Sequence, residues 1–294
     1  MSGFAMSNRS HFQCLNYQIK FVYRGIIATH FIKSITMKFT SIKPFLLTLL
    51  LLLIVTQAYC QRQFKALLFT KTNGWHHESI NEGVDAIRKM AERNFFTVEW
   101  QEDPKHFNDT KLAEFQVVIF LNTTGDVLND EQQKAFTKFI QSGKGYVGIH
   151  SASDTEYDWE WYTKLVGRMF VIHPVIQTAV LKVNDSKFPG MERIPANWYW
   201  TDEWYEYGPE KTPGLHYLLS VDEKTFDPNV KWGEKVGKGM GEFHPIAWYH
   251  DFDGGRSFYT GLGHLPLVYS DPVFLEHLYG GIYWAATGKG VPKK

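Results

Sequence analysis

His150 ends a short apolar run, residues 145–149, and small polar residues separate it from Asp154. Gly148 and the small residues at 151–153 suit a sharp turn from a strand into a loop, where a bulky neighbour would clash. Such a turn presents one side chain at the carboxyl end of a sheet, where open α/β folds place their sites. We therefore predict that His150 is catalytic and that Asp154 orients it. The alternative is a hydrogen-bonded histidine that closes a strand.

Other histidines recur where strands should end or loops begin: His76 and His77, His173, His244 and His264. Several such positions share one edge of a parallel sheet, so we expect imidazoles that are distant in sequence to converge. Imidazoles with carboxylates suit either a divalent ion such as zinc, manganese or nickel, or general acid–base catalysis. No spacing matches a recognised metal signature, so each histidine alone has a structural alternative, which we adopt for His106, His216, His250 and His277.

The predicted site has three overlapping sets of residues. The predicted catalytic residues are His150, Asp154, Glu203 and His264, and the predicted metal ligands are His77, His150, His173 and His264. The predicted substrate-binding residues are Trp75, His76, Trp200, Trp204 and His244.

Aromatic residues make up 16% of the chain and include ten tryptophans. In residues 198–207 they alternate with acids, and Glu203 lies between Trp200 and Trp204. Tryptophan faces offer sugar C–H surfaces a flat apolar platform, and carboxylates accept hydrogen bonds from sugar hydroxyls. We predict a carbohydrate ligand from this run. The alternatives are that the rings cover the sheet and that Glu203 forms a surface ion pair.

The elements that must position these residues alternate between strands and helices. Strands are predicted at 65–70, 96–100, 117–122 and 145–150, and helices at 80–93 and 129–141. Further strands are predicted at 178–183 and 215–221, a hairpin at 245–250 and 256–262, and a closing helix from 271 to about 286. The pattern predicts an α/β sandwich with a mostly parallel sheet, helices on both faces and an aromatic-rich insertion.

The first 60 residues are predicted to be absent from the mature protein. Residues 1–36 are interpreted as an over-extended gene start, and Met37 opens a basic segment that precedes the apolar residues 45–55. Ala58 and Cys60 suit the −3 and −1 positions of a signal-peptide cleavage site. We predict export to the periplasm or cell envelope, with residues 61–294 as one domain. A lipid-anchored Cys60 is the alternative, and the one route by which we expect a membrane contact.

Removal of this segment changes the chemistry that is available. Both cysteines, Cys14 and Cys60, lie within it, so the mature chain has no disulfide, cysteine nucleophile or thiolate metal site. Residues 1–60 hold six basic and no acidic residues, so the balance of 31 basic to 31 acidic residues becomes 25 to 31. A mildly acidic domain without basic runs argues against a nucleic-acid partner. We expect no bound nucleotide.

Residues 143–150 resemble the nucleophile-elbow region of class I glutamine amidotransferases, with histidine in place of the nucleophilic cysteine. Together with the motifs at 75–78, 173–174, 202–203 and 255–264, they make residues 64–288 similar to the trehalose-utilization (ThuA-like) family. The resemblance implies a flavodoxin-like, amidotransferase-like fold and a role in sugar catabolism on 3-keto-glycosides supplied by a partner dehydrogenase. Without the cysteine thiolate, glutamine hydrolysis through a thioester is excluded. His264 is expected to keep the place of the amidotransferase histidine.

These observations lead us to predict an exported enzyme that isomerises, eliminates or hydrolyses (3-keto-)glycosides. The rival hypothesis is a non-catalytic sugar-binding protein of the cell envelope. Convergence of the histidines and Glu203 favours catalysis, whereas scattered histidines and a groove lined by tryptophans favour binding. Hydrolysis by two carboxylates is a third hypothesis, and it requires two acids that face each other across one cleft.

Overall fold

The computed structural model describes residues 62–291, so the predicted gene start, signal segment and Cys60 lie outside the described residues. Nine strands of this part of the chain form one sheet, with a parallel and an antiparallel half. No helix within residues 62–291 is long and apolar enough to cross a membrane.

The first half of the sheet carries the predicted α/β pattern. Its strands are β1 (Lys65–Phe69), β2 (Thr97–Gln101), β3 (Val117–Leu121), β4 (Gly145–Ile149) and β13 (Gly255–Thr260), and they pair with one another in parallel. The helices are α1 (Ile80–Arg93), α2 (Asp109–Leu112), α3 (Asp130–Gln141), α4 (Glu160–Val166) and α5 (Pro272–Thr287). Parallel strands bring their carboxyl ends to one edge, where the loops after β1, β4 and β13 lie side by side.

Helices cover both faces of this half, as successive residues of β3 demonstrate. Phe120 stacks on Phe136 of α3, with ring centroids 5.6 Å apart. A β-carbon added to Gly83 of α1 would lie 2.9 Å from Leu121, the next residue of β3. Because neighbouring side chains of a strand point to opposite faces, α1 and α3 lie on opposite sides of the sheet. The predicted capping box of Asn129 and Gln132 opens α3, as expected.

The second half of the sheet is antiparallel. It contains β12 (His244–Phe252), β9 (His216–Asp222), β6 (Gln177–Val183) and β7 (Asn197–Asp202). The hairpin of β12 and β13, predicted from the sequence, joins the two halves. Across the whole sheet the order is β2-β1-β3-β4-β13-β12-β9-β6-β7. Two small sheets accompany it: β5 (Phe170–Ile172) pairs with β8 (Glu206–Tyr207), and β10 (Asn229–Trp232) pairs with β11 (Lys235–Lys238). The aromatic-rich insertion therefore consists of the edge strand β7, the short β8 and the segment between them.

Candidate functional site

The turn at His150 has the geometry that the sequence predicts. His150 begins a single 3₁₀ turn that runs to Asp154, and its φ of 52° lies in the left-handed region. A side chain at Gly148 is excluded, because an added β-carbon would lie 2.7 Å from the Tyr146 hydroxyl. The Tyr259 hydroxyl donates to the His150 carbonyl oxygen at 2.7 Å. The turn thus presents the His150 imidazole at the carboxyl edge of the sheet while the backbone is held from below.

The hydrogen bonds of His150 determine which ring nitrogen is available. Nδ1 lies 2.8 Å from the carbonyl oxygen of Gly261, which can only accept, so Nδ1 carries the hydrogen. Nε2 is directed to the Tyr205 hydroxyl at 2.9 Å and to Glu203 Oε2 at 3.4 Å. Nε2 is therefore the ring nitrogen that His150 presents to the site.

Glu203 is the hub of the site. Its Oε2 lies 3.4 Å from His150 Nε2 and 3.1 Å from His264 Nδ1, and its Oε1 lies 3.4 Å from His173 Nε2. The three imidazoles come from the loops after β4, β13 and β5. Burial acts to raise the pKa of Glu203, but the contacts with His150 and His264 outweigh it and hold that pKa well below its ordinary value. Glu203 is therefore an ionised carboxylate among imidazoles.

Asp202 fixes Glu203 relative to His264. The carboxylate of Asp202 is fully buried and accepts hydrogen bonds from the backbone N–H groups of Glu203, Gly263 and His264, at 3.0, 2.9 and 3.1 Å. Burial raises its pKa. One side chain thereby joins the end of β7, in the antiparallel half, to the loop after β13, in the parallel half.

His77 completes the cluster from the loop after β1. Its ring centroid lies 4.9 Å from that of His150 and 5.4 Å from that of His264. The Ser151 hydroxyl lies 3.3 Å from its Nδ1. Burial, reinforced by the neighbouring His150 and His264, lowers the pKa of His77 to about 2. His77 is consequently neutral at physiological pH, which is the state in which imidazole binds a metal.

The arrangement fits a divalent cation. One ligand atom from each of His77, His150, Glu203 and His264 lies within 4.8 Å of the other three. Glu203 Oε2 and His264 Nδ1 are buried, and although they are 3.1 Å apart they have no properly directed hydrogen-bond partner among residues 62–291. Three imidazoles and one carboxylate form a donor set suited to zinc and related ions. The geometry thus corrects the predicted ligand set, because Glu203 takes the place of His173.

His173 lies beside this cluster. Its Nδ1 lies 2.8 Å from the carbonyl oxygen of Pro174 and must donate to it, which leaves the lone pair of Nε2 facing Glu203. Burial lowers the pKa of His173 despite the nearby carboxylate. Its ring stacks on Tyr205 with centroids 5.5 Å apart, and Trp232 meets it edge to face at 4.6 Å. His173 is therefore available to accept a proton.

Asp154 does not orient His150, contrary to the sequence expectation. The Asp154 carboxylate accepts a hydrogen bond from the Tyr157 hydroxyl at 2.8 Å, and the Gly261 carbonyl is the group that orients His150. Burial raises the pKa of Asp154. The local spacing of four residues gave the wrong partner because the 3₁₀ turn directs the two side chains differently.

Trp200 and Trp204 are core residues and offer no platform to a sugar. Both are buried, and their indole N–H groups donate within the protein, to Asp202 Oδ2 at 3.1 Å and to the Gln177 carbonyl oxygen at 3.0 Å. In contrast, Trp75 is 71% exposed, and His76 beside it is exposed as well. These two residues of the predicted substrate-binding set remain accessible to a ligand.

His244 is also buried, and both of its ring nitrogens are engaged. Nδ1 lies 2.6 Å from Glu223 Oε1, and Nε2 lies 2.8 Å from the carbonyl oxygen of Tyr205. His244 therefore positions the backbone of Tyr205, whose hydroxyl contacts His150, and has no nitrogen left for substrate.

Two residues of the site, and one residue beside it, were missed in the sequence. Asp202 and Tyr205 flank the predicted Glu203 but gave no separate signal, because their roles depend on loops that are distant in sequence. Trp232 lies in a segment to which no element was assigned, although Gly233 after it is typical of a hairpin turn.

Comparison with known proteins places this geometry in a family. The profile of the ThuA family, described as trehalose utilisation, matches residues 65–285. Among solved structures, the chain is similar to ThuA-like proteins of Bacteroides uniformis (22% identity, TM-score 0.64) and Parabacteroides merdae (20% identity, TM-score 0.61). The first alignment covers 76% of this chain, the second 79%, and each covers 92% of the other protein.

A cytoplasmic protein of Salmonella typhimurium shares the fold at 7% identity, with a TM-score of 0.51 over 75% of this chain and 98% of that one. No curated protein matches the chain. With three quarters of its length matched by the family profile, the chain belongs to the ThuA family of sugar utilisation, whose fold is related to that of class I glutamine amidotransferases.

Proposed function

We propose that this protein is a carbohydrate-active enzyme that acts on glycosides carrying a ring carbonyl, such as 3-keto-glycosides, by proton transfer beside that carbonyl. The observation that carries the proposal is the Glu203 carboxylate, which lies within 3.4 Å of a ring nitrogen of His150, His173 and His264. A carboxylate and three imidazoles, which can accept and donate protons, thus lie together at the carboxyl edge of the sheet. This is the edge where α/β enzymes bind substrates.

The proposed reaction begins at the carbon next to the carbonyl, whose hydrogen is acidic. A base removes that proton, and the electron pair moves onto the carbonyl oxygen to form an enediolate. When the pair returns, the bond from the anomeric carbon to the glycosidic oxygen breaks, and the departing oxygen takes a proton from an acid. The result is elimination; reprotonation of the carbon from the other side would give isomerisation instead.

His173 is assigned both proton transfers, because His264 belongs to the cluster that would hold a metal ion. The Nε2 lone pair of His173 is free to accept a proton, and Glu203 Oε1 at 3.4 Å stabilises the resulting imidazolium. Burial opposes protonation of His264, but Glu203 outweighs burial and raises the pKa of His264. That pKa describes the metal-free site. With His264 bound to an ion, the protonated His173 would be the acid that returns a proton to the departing oxygen.

The cluster of His77, His150, Glu203 and His264 would hold a divalent ion, as its donor set and its two unpartnered buried atoms favour. A bound ion supplies polarisation of a carbonyl and stabilisation of the enediolate charge. Tyr205, at 2.9 Å from His150 Nε2, then has its hydroxyl free to hydrogen bond with substrate.

The alternatives receive less support. A purely sugar-binding protein was expected to expose its tryptophans and scatter its histidines, whereas Trp200 and Trp204 are buried. Hydrolysis by two carboxylates needs a second acid. Two acids near the site are already engaged: Asp202 accepts three backbone hydrogen bonds, and Asp154 accepts one from the Tyr157 hydroxyl.

We also propose that the enzyme acts outside the cytoplasm, on the basis of the basic and apolar pattern of residues 37–60. N-terminal sequencing of the exported protein is expected to begin near Gln61. A secreted form that retains residues before Met37 would refute the assignment.

The reaction is tested by incubating the mature protein in D₂O with disaccharides, oxidised to ketones or left unoxidised, with and without chelator. We expect the ketones alone to incorporate deuterium beside the carbonyl and to release a sugar, as followed by mass spectrometry and NMR. His173→Gln is expected to abolish deuterium incorporation. Turnover of unoxidised sugars without incorporation would refute the proposed chemistry.

A further inference from the structure

The β10–β11 hairpin carries a tryptophan that the proposed reaction does not use. Trp232 is 43% exposed, although its ring contacts His173 at 4.6 Å and Phe170 at 6.2 Å between centroids. His173 in turn lies 3.4 Å from Glu203. The Trp232 indole is therefore exposed and is separated from Glu203 only by the His173 ring. It is well placed to contact a molecule bound at the site.

The hairpin is fixed to the segment that carries Glu203 and Tyr205. Glu206, the first residue of β8, accepts a hydrogen bond from the Gly239 backbone N–H at 2.6 Å. A β-carbon added at Gly237 would lie 2.5 Å from Glu206 Oε1 and 2.8 Å from Ile172 Cγ2, so the hairpin packs directly on β5 and β8. Trp232 therefore keeps its position relative to the site and costs little ordering entropy when a ligand binds.

Trp232 and Lys235 form one polar and aromatic surface. They are cross-strand partners in the hairpin and so lie on the same face. Lys235 is also close enough to act on the Asp154 carboxyl electrostatically. A sugar ring has an apolar C–H face, which suits an indole, and a rim of hydroxyls, which suits an ammonium group.

We propose that Trp232, with Lys235, forms a second sugar subsite that binds the leaving-group ring of a disaccharide while His173, Glu203 and His264 act on the oxidised ring. The inference rests on the proposed function, since it places the departing sugar next to His173. If Trp232 and Lys235 bind the departing sugar, the substrate is a keto-disaccharide. The β10–β11 hairpin then distinguishes disaccharides from small glycosides, which have no second ring.

The test compares Trp232→Ala with the unaltered protein on two probes: trehalose oxidised at C3 and methyl α-glucoside oxidised at C3. We expect kcat/KM for the disaccharide to fall about tenfold, mainly through KM, as loss of an aromatic platform predicts. For the methyl glycoside we expect a change of less than about twofold, because it has no second ring. Trp232→Phe is expected to restore much of the difference.

Phe95→Ala is the matched control, since Phe95 is an exposed aromatic residue that precedes β2, at the opposite edge of the sheet. Equal losses on both probes, or none on the disaccharide, would overturn the subsite and leave the reaction intact. Disaccharide binding that weakens in Trp232→Ala, without turnover by the unaltered protein, would uphold the subsite and overturn the reaction. Failure to bind either probe would overturn both.

Discussion

The Nδ1–H of His150 donates to the carbonyl oxygen of Gly261 across 111 residues of sequence, at 2.8 Å. This bond joins the turn after β4 to the loop that carries His264, and it fixes the tautomer of His150. The acceptor is a neutral carbonyl and not a carboxylate. The bond therefore orients the His150 ring without placing a negative charge beside Nδ1. Nε2 then faces the Tyr205 hydroxyl and the Glu203 carboxylate.

Replacement of His150 separates its chemical role from its backbone role. His150→Asn keeps a residue that tolerates the left-handed φ of 52° but removes the imidazole. We expect activity to fall about 100- to 1,000-fold, because the variant removes one donor of the cluster that would hold the ion and stabilise the enediolate charge. His150→Ala should be equally inactive and less stable than His150→Asn by about 1 kcal/mol, because alanine is strained in that conformation. Turnover assays and urea unfolding measure the two effects, and near-normal turnover in either variant would make His150 structural.

Glu203→Gln keeps the size of the hub and removes its charge. In the metal-free protein, the Glu203 carboxylate raises the pKa of His264 and burial lowers it. Without that charge the effect of burial remains, so the pKa of His264 should fall. NMR titration of the imidazole carbons measures this shift directly, and activity should be lost in parallel. Glu160→Gln, on the exposed first turn of α4, is the control and should change neither quantity. An unchanged His264 titration would show that Glu203 does not govern its protonation.

Metal content is the third measurement. We expect about one divalent ion per chain in protein purified without an affinity tag, because three imidazoles and a carboxylate form the donor set. Chelation should abolish activity, and addition of zinc, manganese or nickel should restore it. His77→Ala should lower the metal content, whereas His76→Ala should not. Substoichiometric metal together with activity that resists chelators would remove the ion from the mechanism.

His277 predicts a loss of stability in acid. Burial lowers the pKa of His277 in the folded protein to about 3, from an ordinary value of 6.5. Between these values the unfolded chain binds a proton that the folded chain does not. The free energy of unfolding should therefore decrease as the pH is lowered. Once the pH is below the pKa of His277 in the unfolded chain, this group should contribute a decrease of about 1.4 kcal/mol per pH unit. His277→Gln should make that slope shallower, as chemical denaturation at pH 7.5, 5.5 and 4.5 would reveal. An equal slope in both proteins would contradict the prediction.

Much of the architecture follows from periodicity in the sequence. Buried runs such as 117–121 and the capping box at Asn129 identify strands and helices locally, and a parallel sheet then brings His77, His150 and His264 to one edge. The prediction was wrong where it relied on neighbours in sequence, as with Asp154. It also overlooked an alternation in β7, where Trp198, Trp200 and Asp202 are buried while the residues between them are exposed. That period of two predicts buried rings, and not a sugar platform.

The role of Glu203 could not be read in this way. Glu203 follows β7, at the edge of the antiparallel half, and its imidazole partners follow β4, β5 and β13. These loops come together only because the antiparallel strands continue the sheet beyond β13. Trp232 was missed for the same reason, because the hairpin has no hydrophobic pattern that connects it to the site. Contacts of this kind follow from topology and become visible only with the complete sheet.

The division of the site between the two halves of the sheet has a kinetic consequence. The parallel half contributes His77, His150 and His264. Glu203 follows β7 of the antiparallel half, and His173 follows β5 of a small accompanying sheet. The contacts that assemble the cluster join residues far apart in sequence, such as the 111 residues between His150 and Gly261, and contacts of this kind form late in folding. Partly folded chains, including nascent ones, would thus lack the assembled cluster and could not damage sugars or capture metal at a complete site. Recovery of activity during refolding would then report completion of the whole domain, more strictly than recovery of helical signal.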